Sequence, residues 1–180
     1  MKKIGIIGAG SWGTALALTV SNKGHQVKIC DVDKEHIALM REHNENVKYL
    51  PGIKFNENLH IVDTTEEALE DADIALFSAP AQHFRSAFEG AIPYLNDNMV
   101  VVNVAKGIEQ HTLMRMSEIA YLLKPDVKYV VLSGPSHDSE LCKLFLCVRL
   151  RSVQTGQVRC GKLFLLLRQS LLRYSQQIHI

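Results

Sequence analysis

Several kinds of chemistry are missing from this sequence. It has four cysteines in 180 residues, too few and too scattered for a disulfide framework. Cys142 and Cys147 have four residues between them, but no closely spaced His or Cys pair follows to complete a zinc site. The eight histidines form no H-x-x-x-H pair, so no metal is expected. Cys30 and Cys160 belong to no motif, and free thiols in a reducing cytosol are the plain expectation. There is no internal repeat and no low-complexity linker. The uncharged run from Ile4 to Asn22 is diluted by Gly5, Gly8, Gly10, Ser11, Gly13 and Thr14, which makes it a poor membrane span. With Met1-Lys2-Lys3 before it and Ala15-Leu16-Ala17 within it, the run has the outline of a secretory signal. The interrupting glycines and the strand-helix-strand pattern that continues beyond it count against that reading.

Acidic residues are absent from Leu141 to Ile180, where average composition would supply roughly five. Of the 20 bases and 19 acids, seven bases and one acid fall from Glu140 onward, leaving 13 and 18 before it. The first 139 residues are therefore mildly acidic, which argues against a nucleic-acid partner.

What is present is organised around KIGIIGAGSWGTALALTVSNK, Lys3 to Lys23. Lys3 to Ile7 reads as a buried strand and Ser11 onward as a helix. Gly8, Gly10 and Gly13 between them have the G-x-G-x-x-G spacing. Gly8 would permit the tight turn, Gly10 would let the backbone approach a pyrophosphate, and Gly13 would let helix pack close on strand. About 18 residues after Gly13 stands Asp31, at the end of a second strand, His25 to Ile29. A carboxylate there can accept hydrogen bonds from the adenine ribose of NAD and would repel the 2′-phosphate of NADP.

Four further strands are expected at Leu59 to Val62, Asp73 to Phe77, Asn98 to Ala105 and Val127 to Leu132. The helices expected between them run from Lys34 to about Asn46, from a Thr64 to Glu67 capping box to near Asp71, from Gln82 to about Ala91, and from His111 to Lys124. Ile37, Met40 and Leu39 are expected on the apolar face of the first, and Phe84 and Phe88 on that of the third. Six strands alternating with helices give an α/β fold with a doubly wound parallel sheet.

GAGSWGTALA (Gly8 to Ala17), YLPGIKF (Tyr49 to Phe55), AKGIE (Ala105 to Glu109) and LSGPSH (Leu132 to His137), in that order and spacing, resemble the nicotinamide-binding half of NAD(P)-dependent glycerol-3-phosphate dehydrogenase. The resemblance covers about residues 1 to 137. It implies an oxidoreductase that interconverts glycerol 3-phosphate and dihydroxyacetone phosphate. Ser11 and Trp12 then correspond to cofactor contacts, Lys106 to a catalytic residue touching both cofactor and substrate, and Gly134 and Ser136 to substrate contacts. Many members of the family carry a basic residue for the NADP phosphate where this chain has Asp31, Val32 and Asp33, so NAD is expected over NADP. The LSGPS match counts against another hydroxy-acid or sugar-acid dehydrogenase.

Asp138 stands where the family has alanine, and the motif resemblance stops after Leu141. Residues 1–140 are expected to form the dinucleotide-binding domain and 141–180 an aberrant basic tail, with the helical second domain missing or aberrant. On that expectation the chain would bind cofactor and turn over poorly, and the family's homodimer is doubtful. Two readings of the tail stand: altered or out-of-frame sequence, or a basic amphipathic segment, Leu163 to Tyr174, on a non-catalytic NAD-binding module that meets a membrane or a partner. Leu163 to Leu167 is apolar without helical periodicity, which favours the first.

Overall fold

A strand covered on both faces must send alternate residues into two different cores, and that division organises the molecule. The structure, a computed structural model, describes residues 1–133 and 149–152. Its elements are β1 (Lys3–Ile7), α1 (Ser11–Ser21), β2 (Gln26–Cys30), α2 (Lys34–His43), β3 (Glu45–Asn46), β4 (Leu50–Lys54), β5 (Leu59–Ile61), α3 (Thr65–Leu69) and β6 (Ile74–Phe77). There follow α4 (Ala81–Ala91), a 3-10 turn (Ile92–Tyr94), β7 (Val100–Asn103), α5 (Met116–Leu123), β8 (Lys128–Ser133) and β9 (Arg149–Ser152).

Ile4 and Ile6 of β1, Leu76 of β6 and Val102 of β7 face a core shared with Leu16 and Val20 of α1 and Ile37 and Met40 of α2. Ile7, Phe77 and Val101, from the same strands, face a second core with Leu69 of α3, Phe84 and Phe88 of α4 and Ile119 of α5. The expected pair Phe84 and Phe88 is fully buried, with ring centroids 5.7 and 5.4 Å from that of Phe77. Burying each such ring contributes roughly 1.5–3 kcal/mol.

The strands of the main sheet lie in the order β5-β2-β1-β6-β7-β8-β9. The first six are mutually parallel and correspond to the six strands expected from the sequence. The chain runs outward from β1 to β2 and β5 on one side, then crosses to β6, β7 and β8 on the other. The reversal falls between β1 and β6, and the carboxyl ends of these strands flank a topological switch point, where open sheets take their ligands. β9 pairs antiparallel with β8, a seventh strand within the region expected to be a tail. The apolar run Leu163 to Leu167 and Cys142, Cys147 and Cys160 lie outside the described residues. Among the described residues, no helix is long and apolar enough to cross a membrane, and no cluster of side chains could hold a metal.

Several local expectations are corrected. The helix expected to reach Asn46 stops at His43, because Asn44 takes the left-handed conformation, φ 51°, that asparagine tolerates at a helix end. The chain then forms a two-stranded ribbon, β3 with β4, in which Pro51 and Gly52 are strand residues. Leu39 is 41% exposed, and the buried face of α2 is His36, Ile37 and Met40. The helix expected from His111 starts only at Met116, since Leu113 at φ 59° closes a loop through hydrogen bonds between Glu109 and both Leu113 and Met114. The Thr64 cap is as expected, accepting from Glu67 N at 3.1 Å, but the Glu67 carboxylate takes Asp63 N and not Thr64 N.

Candidate functional site

The glycine turn is the hinge of the site. Gly8, directly after β1, has φ 106°, a conformation that a side chain rarely adopts, and a Cβ there would lie 2.9 Å from Ala79 N. Gly13, one turn into α1, approaches so closely that a Cβ would fall 2.1 Å from Gly8 O and 2.4 Å from Ser78 Oγ. Gly10 is different, for a Cβ there would meet nothing within 4 Å among the described residues. The space above Gly10 is open, as a backbone that receives a bulky ligand requires.

Helix α1 begins at Ser11 with Gly10 as N-cap, no side-chain cap and no acidic residue in its first turn. The first-turn N–H groups of a helix have no intrahelical acceptor, and with the helix dipole they favour an anion. The open space at Gly10 and the uncapped helix end fit the pyrophosphate of a dinucleotide.

Asp31 follows β2 and lies beside this turn. One carboxylate oxygen accepts from Ala9 N at 2.6 Å and the other from Asp33 N at 3.0 Å. Each oxygen retains a second lone pair for a ribose hydroxyl. Asp33 caps α2 by accepting from His36 N at 3.0 Å and pairs with Lys48 at 3.3 Å, and these two contacts, the first the stronger, hold its carboxyl below the usual range. Cys30 is buried, and burial pushes its thiol up to about 11, so it supplies no thiolate near neutrality.

Trp12 packs partly buried against the α1 core, and the Lys106 ammonium stands 6.0 Å above its ring. The fold thus brings together two residues 94 positions apart that were singled out separately. Lys106 lies just beyond β7, where Asn103 Oδ1 accepts from Ala105 N at 3.1 Å and turns the chain. Gly134 and Ser136 lie outside the described residues.

Other contacts of the site carry no signal in the sequence. Ser78, after β6, donates to Gly8 O at 2.7 Å and so ties the glycine turn across the switch point. Thr14, Asn46 and His36 are buried and converge on Ala9 O, at 3.3, 2.8 and 3.1 Å. The loop carrying Lys106 is latched to α4. Gln82 donates to Ile108 O and accepts from Gln110 N, both at 2.9 Å, and Arg85 makes a two-pronged pair with Glu109 at 2.8 and 2.7 Å. Arg85, then the Thr112 hydroxyl, hold the Glu109 carboxyl down at about 2. A loop serine or glutamine carries no sequence signal for such roles. Arg85 and Glu109 could have been paired only by knowing that α4 packs against the loop after β7.

Residues 3–156 match the family described as NAD-dependent glycerol-3-phosphate dehydrogenase N-terminus. The chain is 37% identical over 144 residues to glycerol-3-phosphate dehydrogenase [NAD(P)+] of Agathobacter rectalis, covering 80% of this chain and 43% of that protein. It is 41% identical over 143 residues to the enzyme of the same description from Pelotomaculum thermopropionicum, covering 77% and 41%. This chain therefore spans less than half the length of these relatives. Among solved structures, glycerol-3-phosphate dehydrogenase of Coxiella burnetii superposes with a TM-score of 0.78 at 26% identity, over 96% of this chain and 50% of that one. The match runs past Leu141, where the motif resemblance stops, and takes in β9. With its glycine turn, parallel sheet and sequence match in agreement, the chain belongs to the family of NAD-dependent glycerol-3-phosphate dehydrogenase N-terminal domains.

Proposed function

We propose that this chain binds NAD(H) at the carboxyl ends of β1, β2 and β7, as the cofactor-binding part of an oxidoreductase that interconverts glycerol 3-phosphate and dihydroxyacetone phosphate. The observation that carries the reading is the placing of Lys106 over Trp12 at the mouth of the glycine turn. Gly8, Gly10, Ser11, Trp12 and Gly13 form the cofactor cradle, and Asp31 takes the adenine ribose. A carboxylate at that position disfavours a 2′-phosphate, so NADH is preferred to NADPH.

When bound, the nicotinamide supplies the hydride acceptor or donor. Lys106 Nζ donates a hydrogen bond to the C2 oxygen of the substrate, stabilising the negative charge that develops there on reduction of the ketone. The Arg85–Glu109 latch holds the lysine loop in place, and Trp12 limits water on one side of it. Gly134 and Ser136 are proposed as substrate contacts on the resemblance alone. Buried, free Cys30 suits a reducing compartment, and the cytoplasm is the proposed location.

Trp12 is the sole tryptophan, so its fluorescence reports on this site alone. Titration with NADH is expected to quench it saturably. Lys106→Met should leave that quenching in place but abolish the further change that dihydroxyacetone phosphate causes in the NADH complex. Fluorescence indifferent to NADH contradicts the proposal.

A further inference from the structure

Asn46, placed by the sequence at the end of a helix, is fully buried behind the glycine turn, and its amide nitrogen is directed there. Its amide nitrogen donates to Ala9 O at 2.8 Å and to Thr14 Oγ1 at 2.7 Å, while its oxygen accepts from Tyr49 N at 3.0 Å. Thr14 Oγ1 also donates to Ala9 O, and His36 Nε2, facing a carbonyl that can only accept, must carry a proton and donate as well. Three donors on one carbonyl exceed what two lone pairs need for satisfaction, so the cluster does more than neutralise a buried oxygen.

Two different peptide units flank the Ala9 Cα, and both are anchored. The Gly8–Ala9 unit gives its N–H to Asp31 at 2.6 Å, and the Ala9–Gly10 unit gives its C=O to Asn46, Thr14 and His36. A trans peptide is planar, with N–H and C=O pointing in opposite directions. A C=O held inward by the buried cluster therefore turns the N–H of Gly10 the opposite way, away from Asn46, Thr14 and His36.

Resting on the cofactor reading above, we propose that Asn46 is a positioning residue which, with Thr14 and His36, aims the Gly10 N–H at the pyrophosphate of the dinucleotide. The β3–β4 ribbon, through Tyr49 N, fixes Asn46 and so becomes part of the cofactor site without touching the ligand.

The test is calorimetric titration of the full chain with NADH and with ADP-ribose, alongside amide NMR of Gly10 and thermal midpoints. In the unaltered chain the Gly10 amide proton should shift on adding either ligand. Asn46→Ala and Thr14→Val should each weaken both ligands by about tenfold, the scale of one misdirected hydrogen bond to a charged group, and shrink the Gly10 shift. Thr14→Ser, which restores the hydroxyl, should recover affinity. If Asn46→Ala does not fold, the Thr14 pair decides. A Gly10 amide that ignores ligand, or folded variants that bind as tightly as the unaltered chain, overturn the positioning role and leave the cofactor reading standing. No saturable binding by the unaltered chain overturns both.

Discussion

Two glycines in one turn can be separated by what a methyl group would strike. At Gly13 it would strike the backbone, 2.1 Å from Gly8 O, and neither the turn nor the helix can yield without opening the switch point. At Gly10 it would strike nothing among the described residues. Gly13→Ala should therefore cost about 1–3 kcal/mol of stability, as overpacking does, and weaken NADH binding with it. Gly10→Ala should leave the urea midpoint nearly unchanged, yet lower NADH affinity at least as much, because on the proposed reading that space receives the cofactor. Equal loss of stability in both variants would contradict the assignment. The glycine pattern was legible because its spacing is local. Ser78, 70 residues from the carbonyl it holds, and Asn46, 32 from the threonine it meets, depend on contacts that only the folded sheet creates.

At the level of elements, strands were easier to read than helix ends. A valine-rich run such as β7 declares itself, whereas the stop of α2 at Asn44 and the late start of α5 beyond Leu113 turn on single left-handed residues. The loop carrying Lys106 is held by an ion pair whose strength depends on pH. Glu109 has its carboxyl lowered from 4.5 to about 2 by Arg85 and Thr112. A depressed carboxyl adds stability that is fully present above its unfolded value and is lost as pH falls through the folded one. The stability from this latch should therefore fade between pH 4.5 and about 2. Urea midpoints across that range should fall more steeply in the unaltered chain than in Glu109→Gln, which should be less stable at pH 7. Parallel curves for the two would remove the latch from the account.

For the molecule as a whole, the doubly wound parallel sheet is expected from alternating strands and helices, while the antiparallel β9 is not. Its sequence, RLRS, follows a stretch without acids, and neither composition nor periodicity marks it as a strand. The long-range logic proposed is that β1, β2 and β7 all end at the same edge of the sheet, so that a turn, an acid and a lysine far apart in sequence would face one ligand. The most direct test of that claim is calorimetric titration of the chain with NADH and NADPH separately. The account predicts saturable one-to-one binding of NADH and binding of NADPH at least tenfold weaker, given the Asp31 carboxylate at the ribose position. Equal affinity for the two would contradict the role of Asp31, and binding of neither would contradict the cofactor site itself.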